Sequence, residues 1–321
     1  MTTTTGAASG EQTAQRCEQI IAEIETVVVG RRRALELVLL GILGRGHVLI
    51  EDVPGLGKTL IARCFSEALD LSFARVQFTP DLLPADLTGL SVFDQSTGRF
   101  EFRPGPVFTQ LLLADEINRT PPKTQAALLE AMAEEQVSSD GETRPLPQPF
   151  VVLATDNPIE YEGTYALPEA QLDRFLLRVR LGYLGTEDEL ELLARRLRRG
   201  ADRPRLSAVV DADTVLAMRE SLERVQVEPV ILRYVVALVE ATREHPQVTV
   251  GSSPRGGLAT VALARGQAML EGRDYVTPED VKKVAVPALA HRLSLRPELW
   301  VRLVTGDDVV TEILATTPSP R

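Results

Sequence analysis

At 321 residues the chain can form one large domain or two moderate ones with a sizeable buried core. Its 45 Asp and Glu against 35 Lys and Arg leave a formal charge of -10, which repels DNA or RNA unless a local basic patch compensates. Cys17 and Cys64 lack the spacing of a zinc site or disulfide framework, and no apolar run is long enough to span a bilayer, so a reducing, cytoplasmic setting without membrane insertion is expected.

The Thr/Ala/Gly/Ser-rich opening has neither the basic region nor the apolar core of a signal peptide, and residues 1–13 read as a disordered tail. Helical spacing follows over 11–25 and again over 31–43, where Val38, Leu39, Ile42 and Leu43 form an apolar face. Arg31-Arg32-Arg33 reads as a solvated helix start, with no further role than packing near a nucleotide base.

His47-Val48-Leu49-Ile50 is a short apolar strand, and Glu51-Asp52-Val53-Pro54-Gly55-Leu56-Gly57-Lys58-Thr59-Leu60 joins it to a helix-forming run. A glycine-bearing loop between a strand and a helix cradles phosphates on its backbone N–H groups. Lys58 is then expected at the β/γ-phosphates and Thr59 on Mg²⁺, and the predicted nucleotide contacts are Asp52, Pro54, Gly55, Leu56, Gly57, Lys58, Thr59 and Leu60. Asp52 occupies the place where the pattern G-x-x-x-x-G-K-[ST] asks for its first glycine.

Residues 72–78 alternate like a half-buried strand, and the turn-rich stretch 79–107 contains a hairpin candidate over about 90–102. Leu111-Leu112-Leu113-Ala114-Asp115-Glu116 has the unbroken apolarity of a parallel strand buried on both faces, with two carboxylates at its C-terminal end. Asp115 can hold a Mg²⁺ shell opposite Thr59, and Glu116 can take a proton from the water attacking a γ-phosphate. Thr120-Pro121-Pro122 is expected to cap a helix reaching about residue 135, and the Asp140-Gly141 pair marks a second hairpin over 137–149 whose charge is mixed.

Another apolar strand, 150–155, ends at Asp156-Asn157-Pro158, where the Asn157 amide can reach the attacking water or the phosphate. Residues 165–175 read as a short helix leading into a strand over 176–181, and taken alone Arg174 makes a surface ion pair with Asp173. From residue 186 onward helices take over, at 186–199, 211–224, 229–244, 254–271 and 277–293, with loops at 246–253 and 273–275 and a tail at 316–321. Arg255 falls in the first turn of the helix from 254, where a cation opposes the dipole and invites an anionic partner.

Taken together and in this order, these residues resemble the AAA+ ATPases, and their wording is similar to the MoxR family. The words that carry the likeness are the loop 51–59, Asp115-Glu116-Ile117-Asn118-Arg119-Thr120-Pro121-Pro122-Lys123-Thr124-Gln125, Leu167-Pro168-Glu169-Ala170-Gln171-Leu172-Asp173-Arg174-Phe175 and Ser253-Pro254-Arg255. The resemblance implies an α/β, three-layer αβα P-loop domain with a parallel sheet over 14–185 and a small α-helical lid over 186–315. It also implies ATP and Mg²⁺ as cofactors, Asn157 as sensor 1, Arg174 as an arginine finger and Arg255 as the sensor 2 arginine, so that the catalytic set is Lys58, Glu116, Asn157, Arg174 and Arg255.

A finger acting in trans makes a head-to-tail contact that closes into a ring, here a hexamer by the resemblance. The implied work is chaperone-like remodelling of a client protein, one class of client carrying a von Willebrand factor A domain or a metal centre. Three other readings stand beside it. One is a motor subunit of a metal-chelatase-like complex; another is a nucleic-acid motor of the kind seen in MCM helicases, against which the acidic balance weighs. The third is a nucleotide-dependent scaffold without turnover, against which the presence of Glu116, Asn157 and Arg174 weighs. Asp156, where many relatives carry Gln, is a departure in the detail of water positioning.

Overall fold

The computed structural model describes residues 10–157, 163–199, 206–296 and 304–320. Two helices, α1 (Gly10–Glu25) and α2 (Arg32–Leu43), precede β1 (Val48–Glu51), and the glycine loop then opens α3 (Lys58–Ala68). Next come β2 (Phe73–Gln77), α4 (Pro84–Thr88), the hairpin β3 (Gly89–Asp94) and β4 (Arg99–Pro104), β5 (Leu111–Asp115) and α5 (Pro122–Glu134). A second hairpin, β6 (Gln136–Ser139) with β7 (Glu142–Pro145), precedes β8 (Val151–Asp156), α6 (Glu169–Leu172) and β9 (Leu177–Val179). The remainder comprises α7 (Thr186–Arg199), α8 (Ala212–Glu223), α9 (Pro229–Glu244), α10 (Pro254–Leu270), α11 (Pro278–Leu289) and α12 (Gly306–Thr316), with a small antiparallel pair, β10 (Val248–Val250) and β11 (Ser294–Leu295).

Five strands pair in parallel in the order β2-β5-β8-β1-β9. Alternation along the strands divides their side chains between two apolar layers. Leu111, Leu113, Val151 and Leu153 join the helices α1, α2 and α3, whereas Leu112, Ala114, Val152 and Ala154 join α5 with Phe78, Phe150 and Phe175. This is the three-layer αβα arrangement, and each fully buried Leu or Ile in it contributes roughly 1.5–3 kcal/mol by leaving water. His47 is part of this packing: Val152 N–H donates to its Nδ1 (3.0 Å), Nε2 faces the Met132 carbonyl (2.9 Å), and burial pushes its pKa down to about 4. Because all five strands point the same way, the loops leaving β1, β5 and β8 gather at one sheet edge.

The helical part is not a free-standing unit. Ile20 of α1 and Leu35 of α2 belong to the same apolar cluster as Leu263 of α10 and Val284 of α11. Polar ties cross the same seam: Arg33 reaches Gln267 Oε1 and the Lys283 carbonyl, both at 2.8 Å, and the buried Arg219 donates to the Ile42 carbonyl at the end of α2 (2.9 Å). At the far side Arg178 of β9 holds Glu51 and Asp307 of α12 together, each at 2.9 Å.

Several local expectations are corrected. Helix α1 starts at Gly10 with Thr13 buried, so residues 10–13 are not tail. The stretch 79–107 contains α4, and the loop 246–253 contains β10. Only Glu169–Leu172 of the stretch 165–175 is helical, because Pro168 admits a helix no earlier. The residue at the start of α5 is Pro121 and no side chain caps that end, whereas Thr277 and Asp280 do form a capping box at α11, which stops at Leu289 before a tight turn over Ala290–Arg292. Both hairpins are present. Asp140 (φ 55°) and Gly141 (φ 79°) are both left-handed, as a two-residue turn requires. The hairpins also pack on one another: Ser91 Oγ donates to Asp140, and the Arg144 guanidinium lies 3.9 Å from the Phe102 ring centroid.

Candidate active site

The loop between β1 and α3 turns on Gly55 (φ 84°) and Gly57 (φ 86°), and beyond the adjoining residues nothing lies within 4 Å of where either Cβ would sit. The backbone thus presents an open face at the N-terminus of α3, where N–H groups and dipole favour an anion. A cavity of about 440 Å³ lies there, lined by Pro54, Gly55, Gly57, Lys58, Thr59 and Leu60 from the loop, by Asp115 and Glu116 at the end of β5, and by Asn157 after β8. Six of the eight predicted nucleotide contacts therefore meet both carboxylates and Asn157 in one place. Leu56 faces a second, mainly apolar cavity of about 470 Å³ that shares Gly55, Gly57 and Leu60 with the first and is walled by Val27, Val28, Val29, Leu192 and Leu193. Its size and lining suit a purine ring. Arg31 lines it too, but its guanidinium is held by the Leu181 carbonyl.

Lys58 Nζ is held at the loop's root by the carbonyls of Asp52 and Asp156 (3.2 Å to the latter). Burial lowers its pKa, opposed by the carboxylates of Asp52, Asp115, Asp156 and Glu116. Asp115 Oδ1 accepts from Thr155 Oγ1 (2.7 Å), and Oδ2 is paired with Arg75 of β2 (2.8 Å). Glu116 adopts a left-handed backbone (φ 58°, ψ 53°), unusual for a side-chain-bearing residue, and Thr155 Oγ1 takes its N–H at 2.8 Å. Its Oε2 accepts from Gln77 Nε2 (2.7 Å) and lies 3.0 Å from Arg119 Nε. Thr59 from the loop and Asp115 from β5 both line this cavity, and their oxygens are a donor set that fits Mg²⁺ and its water shell.

Asp52 does not line either cavity. Its Oδ1 accepts from Val53 N–H (2.9 Å), and its Oδ2 accepts from the N–H groups of Leu181 (2.6 Å) and Gly182 (2.7 Å) beyond β9. A carboxylate at this position clips the loop to the next strand's exit, a role glycine could not fill. Asp156 lies on the other side of the loop's root, where burial and then the charge of Glu51 raise its pKa to about 6.

Arg174 and Arg255 lie outside the phosphate cavity, and both are exposed. The surface pair of Arg174 with Asp173 is not formed. Arg174 donates to the Leu129 carbonyl (2.7 Å), while Asp173 accepts from Arg292 Nε (2.9 Å) and Ser253 Oγ (3.0 Å). Ser253 is the residue that caps α10, and its Oγ accepts the Arg255 N–H at 3.1 Å. One hydrogen-bonded junction between the end of α6 and the start of α10 therefore ties together the two segments that carry these exposed arginines.

Sequence reasoning missed Arg75 and Gln77, which hold the two carboxylates, and Gln125, whose buried amide binds the carbonyls of Ile117, Thr120 and Tyr165 (3.0–3.2 Å). The period of two on β2 puts Arg75 and Gln77 on one face near the strand's C-terminal end, a signal that was available. Gln125 closes one of the words that carry the family likeness, but nothing local assigned it a role.

A glycine loop leaving β1 of a parallel sheet, a polar asparagine after the neighbouring β8 and paired carboxylates at the end of β5 beyond it define a P-loop ATPase of the AAA+ class. Residues 47–177 match the family described as ATPase family associated with various cellular activities, and residues 240–313 match the AAA lid domain. The chain is 44% identical over 300 residues to the uncharacterized protein YeaC of Bacillus subtilis, covering 94% of this chain and 93% of that one. It is 41% identical over 313 residues to Chaperone MoxR1 of Mycobacterium tuberculosis, covering 95% and 82%. A crystal structure of a candidate ATPase from Cytophaga hutchinsonii superposes with a TM-score of 0.90 at 40% identity, covering 97% of each chain. The chain belongs to the MoxR family of AAA+ ATPases.

Proposed function

We propose that this protein hydrolyses ATP with Mg²⁺ and uses the cycle to remodel or activate a client protein. The observation that carries the first half is the convergence of Lys58, Thr59, Asp115, Glu116 and Asn157 on one cavity. Lys58 and the loop N–H groups hold the β/γ-phosphates, and Thr59 with Asp115 hold the metal, which neutralises phosphate charge when bound. Asn157 orients the attacking water. Glu116 takes the proton of that water as its oxygen bonds to the γ-phosphorus and the bond to the bridging oxygen breaks, leaving ADP and phosphate. To do so Glu116 exchanges its contacts with Gln77 and Arg119 for the water.

Arg174 and Arg255 are offered together to a neighbouring copy, where guanidinium groups stabilise the charge that builds on the phosphoryl oxygens. Their placement off the protein's own cavity supports a head-to-tail assembly, a hexameric ring in the cytoplasm. The client half of the reading rests on family membership and on the two hairpins that project from the sheet. Clients with a von Willebrand factor A domain or a metal centre are the class to test. The hairpins carry Asp94, Glu101, Asp140 and Glu142 beside their arginines, which makes them a poor grip for a phosphodiester strand. The test of the ATPase reading is steady-state phosphate release by the purified chain against Glu116→Gln. Turnover by the parent and its near-complete loss with ATP binding retained in the variant is expected, and normal turnover by Glu116→Gln would remove Glu116 from the mechanism.

A further inference from the structure

Helix α7 carries an exposed leucine stripe that its own chain leaves uncovered in the described residues. Leu190, Leu193 and Leu197 are 56%, 60% and 83% exposed. They recur at spacings of three and four and so share one helix face. Leu193 also walls the apolar cavity beside the phosphate loop, so the stripe runs outward from the rim of the nucleotide cleft.

A second exposed leucine lies beside the paired arginines. Leu258 is 72% exposed and sits three residues after Arg255 on α10, on the same helix face. Whatever surface receives Arg255 must therefore also meet Leu258.

We propose that these two features are the halves of one contact: the α7 stripe of one copy receives Leu258 of the next, seating Arg174 and Arg255 at the first copy's phosphates. This rests on the reading that the arginines act in trans, and it names the surface that aligns them. The occupant is a second copy because each cleft lacks the arginines that the neighbouring copy displays. Charge complements the fit. At the cleft end of the stripe the first turn of α7 carries Glu187, Asp188 and Glu189, whereas Arg195, Arg196 and Arg198 flank Leu197 at its outer end. The opposing spot carries Arg255 at the N-terminus of α10, the positive end of a helix dipole, with Arg174 just beyond α6, so the acidic end of the stripe is the one that faces the arginines. Two copies with a formal charge of -10 each repel overall, so such a matched patch is what brings them together in one register. Nucleotide in the cleft extends the same surface, which makes assembly depend on it.

The test uses full-length Leu197→Asp and Leu258→Asp, two sites exposed enough that folding is unaffected, checked by unchanged thermal unfolding. Mass by light scattering and turnover per subunit are measured against protein concentration with nucleotide present. Each variant alone is expected to need at least about tenfold more protein for half-maximal turnover, since burial of one leucine per contact is lost. An equimolar mixture is expected to exceed the sum of the two alone, because the intact Leu258 of one variant meets the intact stripe of the other. Wild-type concentration dependence in both variants, or no gain on mixing, overturns the proposal. Arg174→Ala separates this from failure of the trans reading. If Arg174→Ala loses turnover while both leucine variants behave as wild type, only the leucine contact falls. Normal turnover by Arg174→Ala sinks both.

Discussion

Replacing Asp52 by alanine tests whether the acid at the head of the phosphate loop is a clip or a nucleotide contact. Its carboxylate accepts three backbone N–H groups, from Val53, Leu181 and Gly182. Hydrogen bonds to a charged acceptor contribute about 1.5–3 kcal/mol each when their donors cannot turn to water. Gly182 is exposed and Val53 is the next residue, so water or local adjustment replaces much of those two bonds. Leu181 is buried, and losing its partner sets the expected cost at about 2 kcal/mol. Because the Asp52 carbonyl also receives Lys58, a loosened loop is expected to raise the KM for ATP severalfold with a smaller change in kcat. Thermal unfolding and initial-rate kinetics measure both, with Asp52→Asn, which keeps one acceptor oxygen, falling between. A raised KM with unchanged unfolding would place Asp52 on the nucleotide instead, and no change in either would refute the clip.

Other outcomes follow from the same geometry. Lys58→Ala is expected to abolish ATP binding by equilibrium dialysis or a fluorescent analogue, and retained affinity would contradict its role at the phosphates. Glu116→Gln should bind ATP as the parent does and lose about 10²–10⁴-fold in kcat, the range of a lost general base. Asp156 gives a pH signature. Its folded pKa of about 6 lies above the ordinary 3.8, so between those values the folded chain keeps a proton that the unfolded chain has released. Stability from this group therefore falls as pH rises through that window and is level above it, a penalty on the order of 3 kcal/mol. Asp156→Asn removes it, and denaturant midpoints are expected to favour the variant increasingly from about pH 4 to pH 7. A constant difference across that range would show that Asp156 is not strained by burial and Glu51.

Much of the site was legible because its signals are local. An unbroken apolar strand reads the same in the sequence as in the sheet, and β1, β5 and β8 each end where their polar residues begin. The glycine loop declares itself by residue type, since Gly55 and Gly57 alone tolerate the left-handed backbone there. What escaped depends on partners far along the chain. The meaning of Asp52 is written 129 and 130 positions later, at Leu181 and Gly182. Strand β10 has three residues and exists only because β11 pairs with it. Arg174 and Arg255 are 81 positions apart by number, and the bonds of Ser253 and Arg292 to Asp173 are what join their two segments. Helix α12 did carry a readable start, the Thr305 and Asp308 capping box, within a stretch otherwise taken as undivided lid.

Trans completion of the ATP site is the central claim, and turnover per subunit measured across a protein-concentration series, with mass determined in parallel and Arg174→Ala beside the parent, tests it most directly. The account predicts activity that rises with concentration together with a nucleotide-dependent assembly, and an Arg174→Ala variant that assembles but loses about 10³–10⁵-fold in kcat. Activity per subunit that stays constant down to the monomer, or full turnover by Arg174→Ala, would contradict it.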